Sequence, residues 1–137
     1  MRATITLLIL LLLCADLFAE NDRIVLITKE SSSVQTITKK NLQMLYMGKI
    51  NQLDKTYYKL YMHKNADAFF KQLLNIKKKK FTRNWRNLIF TGQRRALIIA
   101  KDNEMMQNYL TQEADSIGYL VNPKNIPKGF KVISVSD

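Results

Sequence analysis

Apolar positions along the chain change their period several times, and each change marks an element. Residues 23–28 carry Ile24, Val25, Leu26 and Ile27 in one short run ahead of Ser31, Ser32 and Ser33, the pattern of a buried strand followed by a loop. Thr38 then precedes Leu42, Leu45 and Tyr46, which share one face of a helix that Thr38 caps and Gly48 stops. Residues 57–62 have strand composition, with Tyr57, Lys59 and Tyr61 expected on a half-polar side and Tyr58, Leu60 and Met62 on the other. His63, at the end of that strand, is expected in a surface loop.

A helix capped by Asn65 is predicted next, because Ala66, Phe69, Phe70, Leu73 and Leu74 recur at i, i+3, i+4, i+7 and i+8. From residue 78 to 90 the same period returns in Phe81, Trp85, Leu88 and Ile89, with Gly92 just beyond. Trp85 is expected to anchor the core against Phe69, Phe70 and Leu88. Residues 96–100 form an apolar run that reads as a short strand or an extended connection. Asp102 caps a further helix, with Glu104 in its first turn and Met105, Met106, Tyr109 and Leu110 on its inner face. Two strands, 117–121 and 130–135, finish the chain around Pro123, Pro127 and Gly129. Helices interleaved with strands predict an α/β sandwich of one domain.

The first 19 residues stand apart from this pattern. Arg2 gives a positive start, Ile5 to Leu13 is apolar apart from Thr6, and Leu17, Phe18 and Ala19 end on a small residue, as in a secretory signal peptide. The expected division is therefore 1–19 as signal peptide and 20–137 as the exported, periplasmic domain. An uncleaved anchor and a lipid on Cys14 are the alternatives. Cys14 is the single cysteine, so residues 20–137 contain no disulfide and no thiolate chemistry. No transmembrane span is expected within 20–137.

Charge adds a direction to the fold. The formal net charge is +11, and no acidic residue falls between Asp67 and Asp102, whereas Lys71, Lys77, Lys78, Lys79, Lys80, Arg83, Arg86, Arg94, Arg95 and Lys101 do. A field of one sign concentrates anions and speeds encounter with acidic partners. For an exported chain the expected partners are an acidic envelope protein, an anionic envelope polymer or a small oxyanion rather than nucleic acid. The basic surface is assigned to Lys77, Lys78, Lys79, Lys80, Arg83, Arg94 and Arg95. A basic isoelectric point that serves solubility alone is the competing explanation.

Catalysis finds little material. His63 is the only histidine, the carboxylates of residues 20–137 lack the i, i+3 or i, i+4 pairing of metal ligands, and no Gly-x-Ser-x-Gly turn or Gly-rich phosphate loop is present. No cofactor, metal site or enzymatic activity is expected. The best place for an anion is the turn His63, Lys64, Asn65, where a strand ends and a helix begins with unpaired amides.

Three segments taken in order carry a family resemblance. They are Leu42 to Lys49 ending in Tyr46, Met47 and Gly48; Trp85 to Gly92; and Ser116, Ile117, Gly118, Tyr119 and Leu120. Together they resemble the small periplasmic phosphate-binding-like domains related to substrate-binding subunits of phosphate ABC transporters, over roughly residues 36–121. The resemblance implies a single-lobe type 2 periplasmic-binding-protein-like sandwich with a central mixed sheet and about four helices. It also implies phosphate as the candidate solute. In that family the matching turn usually carries an Arg followed by Ser-Gly-Thr, whose amides and hydroxyls wrap the phosphate, and two lobes close over it. This chain has Lys64 and Asn65 but no Ser, Gly or Thr in the turn, and its length suits about one lobe. A binding or interaction module with weak oxyanion affinity is the leading expectation, and a true solute receptor is the alternative.

Overall fold

The computed structural model describes residues 22–137. Its centre is a five-stranded mixed sheet in the order β6, β5, β7, β1, β8. These strands are β1 (Ile24–Lys29), β5 (Lys59–His63), β6 (Ile98–Ala100), β7 (Ser116–Val121) and β8 (Phe130–Val132). β1 pairs antiparallel with β7 and β8, and β5 pairs parallel with β6 and β7. Two small pairs flank it, β2 (Thr36–Thr38) parallel with β9 (Ser134–Ser136), and β3 (Gln52–Leu53) antiparallel with β4 (Thr56–Tyr57).

Among the described residues, four helical segments cover the sheet. They are α1 (Lys39–Tyr46), α2 (Asp67–Phe69, continuing as a π-helical stretch Phe70–Leu74), α3 (Lys78–Phe90) and α4 (Asn103–Gln112). Strand alternation decides which face each helix buries. Ile117 and Tyr119 of β7, Leu26 of β1 and Met62 of β5 join Leu42, Leu45 and Tyr46 of α1, Phe69, Phe70 and Leu74 of α2, and Phe81 and Trp85 of α3 in one core. Ile27, Tyr61, Ala100 and Leu120 point the other way and pack with Met106 and Leu110 of α4. The sheet is therefore sandwiched between α1 to α3 on one side and α4 on the other.

Caps behave as side-chain chemistry requires. Thr38 accepts from the Asn41 amide at 3.1 Å, and Asp102 accepts from the Met105 amide at 2.8 Å. Gly48 has φ +71, and a Cβ there would lie 2.7 Å from Leu88 Cδ1, so its bare backbone stops α1 and lets α3 approach. Trp85 completes that contact by donating its indole N–H to the Tyr46 carbonyl at 2.7 Å. Phe81 stands between Trp85 and Phe70, with ring centroids 6.3 Å and 4.7 Å away. Trp85 thus shares the expected core with Phe69 and Phe70, and reaches Phe70 through an intervening ring.

Several expectations are corrected. Asn65 does not cap α2: the helix begins at Asp67, its cap position is Ala66, and no side chain bonds the first amides. Ala66 is drawn into the core, which moves the turn one residue along. The strand expected over 57–62 divides at Tyr58, leaving Tyr57 exposed in the β3/β4 pair and Tyr61 buried, its ring stacked on Tyr109 at 5.3 Å. Ile89 is 46 % exposed and Phe90 91 %, so the apolar stripe of α3 stops inside at Leu88. The 130–135 strand is two strands, β8 and β9, which turn into different sheets at buried Ile133.

Candidate functional site

The turn after β5 divides its residues between two surfaces. His63 is buried, 5 % exposed, and is the last residue of β5 rather than a loop residue. Its amide donates to the Tyr119 hydroxyl at 2.9 Å, and its Nε2 meets the Tyr119 carbonyl at 2.8 Å. A carbonyl only accepts, so Nε2 carries the proton there. Burial lowers the imidazole pKa from its ordinary 6.5, opposed by the bond to Tyr119 and the charge of Asp102, and the ring is neutral at pH 7. It therefore brings no positive charge to an anion.

His63 and Asn65 border a small depression with Asp22, Lys101, Asp102 and Asn103. That depression lies at the start of α4, an anion-attracting location in principle. Part of its polar lining is already engaged, since Asp102 caps the helix and the Asn103 amide group pairs with the Val121 backbone at 2.9 Å in both directions, and Lys101 supplies its cation. Two carboxylates, Asp22 and Asp102, oppose a further negative charge. Lys64 borders a different cavity, an apolar groove shared with Phe70, Phe81, Trp85 and Leu97. Lys64 and Asn65 thus border different concavities. Asp67 in the first turn of α2 adds a third carboxylate beside the turn.

The cations expected on the basic surface are distributed along α3 and past both of its ends. Lys77, Lys78, Lys79, Lys80 and Arg83 are exposed on α3 and its cap, Arg95 is exposed beyond its end, and Arg94 is half-buried. Lysines at the amino end of a helix oppose its dipole, and the first turn of α3 has no acidic residue to compensate. The run is therefore placed against local helix energetics. Among the described residues the ion pairs are Lys39 with Asp137 and Lys59 with Glu113, both outside residues 71–101. The apolar groove, about 530 Å³, runs between α3 and the β5/β6 edge of the sheet, and Lys78 is the one of these basic-surface cations that lines it. Its two sides include Thr82, Arg86, Ile89 and Phe90 on α3, and Ile99 on β6 with Leu97 just before it. Sequence periodicity assigned Ile89 to the core and so missed this groove; the lack of a polar interruption in residues 96–100 was the available signal.

No metal-binding arrangement of three or more His, Cys, Asp or Glu side chains occurs among the described residues, and none of their helices is long and apolar enough to cross a membrane. The signal-peptide and Cys14 expectations lie outside the described residues.

Neither a protein-family model nor a curated protein matches the chain. Solved structures do. PstS from Borrelia burgdorferi superposes with a TM-score of 0.63 at 20 % identity, covering 84 % of this chain and 47 % of that one. An ABC-type phosphate transport receptor from Vibrio cholerae gives 0.61 at 14 % identity, covering 85 % and 48 %. A Clostridium perfringens structure described as a phosphate ABC transporter substrate-binding protein with bound phosphate gives 0.62 at 16 % identity, covering 83 % and 45 %. The chain spans less than half the length of each of these proteins. At such identities the likeness establishes architecture, and it agrees with the mixed sheet and four helical segments described above. The chain has the α/β fold of a single lobe of the phosphate ABC transporter substrate-binding proteins.

Proposed function

We propose that this protein is a non-catalytic interaction module of the bacterial envelope, built on a solute-binding lobe and using the α3 surface to hold an acidic partner. The observation that carries this reading is the set of exposed cations Lys77, Lys78, Lys79, Lys80, Arg83 and Arg95, with Arg94 half-buried. Its lysines sit at the amino end of α3, where helix electrostatics disfavour them, and Lys78 lines an open apolar groove. Charge supplies attraction and the groove supplies area. Phosphate or another oxyanion is held weakly at the His63, Lys64, Asn65 turn, supported by the phosphate-bound structural neighbour and limited by the local carboxylates.

The reading is tested with an acidic polymer such as polyglutamate. Retention should fall steeply with salt, because the Debye length shrinks from about 10 Å at 0.1 M to about 3 Å at 1 M. Replacing Lys77, Lys78, Lys79 and Lys80 together by Gln should reduce retention with no loss of thermal stability. Undiminished, salt-insensitive retention by that variant would assign binding to another surface.

Export with removal of residues 1–19 belongs to the same reading, motivated by Arg2, the apolar run and Ala19. Mass spectrometry of the native protein should find Glu20 at the amino terminus. An intact Met1, or a lipid on Cys14, would reject the cleavage.

A further inference from the structure

The groove beside α3 is bounded on its sheet side by a strand whose outer edge is open. β6 lies at the end of the sheet and pairs with β5 through the register Tyr61 with Ile98, Met62 with Ile99 and His63 with Ala100. The Lys64 amide donates to the Ala100 carbonyl at 2.8 Å, which fixes the Ala100 backbone toward β5. Successive residues of a strand present their amides and carbonyls to opposite sides, so the N–H and C=O of Ile99 point away from β5. Among the described residues no strand lies beyond β6. Exposed edges of this kind are templates for another strand.

The Ile99 side chain is 41 % exposed and lines the groove. Opposite it on α3 stand Ile89 and the 91 % exposed Phe90. Three cations border the same groove, Lys64, Lys78 and Arg86, and its lining contains no carboxylate. An occupant that satisfies all of these at once has an extended backbone, apolar side chains at alternate positions and negative charge at its ends.

We infer that β6 and the α3 groove form a strand-addition site for an acidic-flanked, apolar-alternating peptide segment of another protein. The backbone of the segment pairs with Ile99, its alternate apolar side chains enter the groove against Ile89 and Phe90, and its acidic flanks meet Lys64, Lys78 and Arg86. Main-chain bonds supply affinity and the pocketed side chains supply selectivity in this recognition mode. The inference rests on the proposed interaction role and adds the partner's chemistry and backbone geometry.

The probe is a synthetic peptide of alternating valine and threonine flanked at both ends by glutamates, titrated into the purified protein by calorimetry and by amide hydrogen exchange. The valines share one backbone direction and the threonines the other. N-methylation of one of these two sets should therefore weaken binding by about tenfold or more, from lost backbone hydrogen bonds, while methylation of the other set leaves it nearly unchanged. The Ile99 amide should gain protection from exchange, and lysine flanks in place of glutamates should abolish binding. Equal affinities for both methylated peptides, or an unprotected Ile99 amide, would overturn strand addition. If that binding were still salt-sensitive and lost in the 77–80 Gln variant, the charge-driven interaction reading would survive alone. Indifference to flank charge and to salt would remove both. Binding to phosphatidylglycerol vesicles with none to the peptide would replace the strand partner by a membrane surface.

Discussion

At the scale of single residues, the burial of His63 has a consequence for acid stability. Its pKa is lowered by desolvation, with the Tyr119 bond and Asp102 opposing the shift. A depressed native pKa means that the unfolded chain binds the proton first as pH falls. The contribution is therefore complete above the ordinary value of 6.5 and is lost as pH falls through the lower native value. Melting temperature should decline below about pH 6.5, and His63→Gln should flatten that part of the profile. Identical pH profiles for the two proteins would mean that the imidazole titrates normally and is accessible to solvent. His63 also shows where sequence reading runs out. A histidine ahead of a polar turn carries no local sign of burial, because the group that encloses it, Tyr119, is 56 residues away. Trp85 was legible for the opposite reason: its apolar neighbours at helical spacing lie in its own helix, and only its bond to the Tyr46 carbonyl was hidden.

At the scale of elements, α1, α3 and α4 were readable because each carries its own cap or stop and one continuous stripe. Thr38, Gly48, Gly92 and Asp102 mark those ends in the chain itself. The small strand pairs were not, since two or three residues give no measurable alternation, and β2 finds β9 only after the whole chain has folded. The π-helical end of α2 likewise depends on tertiary context. Its last carbonyl, from Leu74, accepts from Gln43 of α1 at 3.1 Å, and Asn75 then turns left-handed at φ 50. The packing of α4 on β7 gives an element-scale prediction. A Cβ built on Gly118 would lie 2.5 Å from Met106 Sδ and 3.3 Å from both methyl carbons of Leu110. Met106 and Leu110 are fully buried, so the new methyl must displace packed side chains. Gly118→Ala should cost about 1 to 3 kcal/mol, the range for overpacking a filled core. Met106→Ala in the same background should cost less than it does alone, because it vacates the space the new methyl needs. Additive effects in denaturant titrations would place the α4 contact elsewhere.

At the scale of the whole molecule, the fold and its candidate functions separate. Order and spacing of three segments were enough to anticipate the lobe, since they sit on α1, α3 and β7, the helices and strand that build its larger core. The partition of the site was not readable, because neighbours in sequence, Lys64 and Asn65, face different concavities. That partition sets the expected strength of phosphate binding. Around the turn, Asp22, Asp67 and Asp102 repel a new anion, the start of α4 is already capped, and His63 is neutral. Lys64, Lys101 and backbone amides remain as attraction, in an open site that leaves the ion hydrated. Affinity for phosphate should be weaker than micromolar, corresponding to less than about 8 kcal/mol of binding free energy. A ligand at 100 times its dissociation constant stabilises the native state by about 2.7 kcal/mol, so thermal-shift titration over a millimolar range resolves the question. A small rise in melting temperature at millimolar phosphate, removed by Lys64→Ala, is the expected outcome. Sub-micromolar binding lost in Lys64→Ala and Asn65→Ala would restore the solute-receptor reading and demote the α3 surface, whereas no shift with phosphate or sulfate would leave the interaction surface as the function of the lobe.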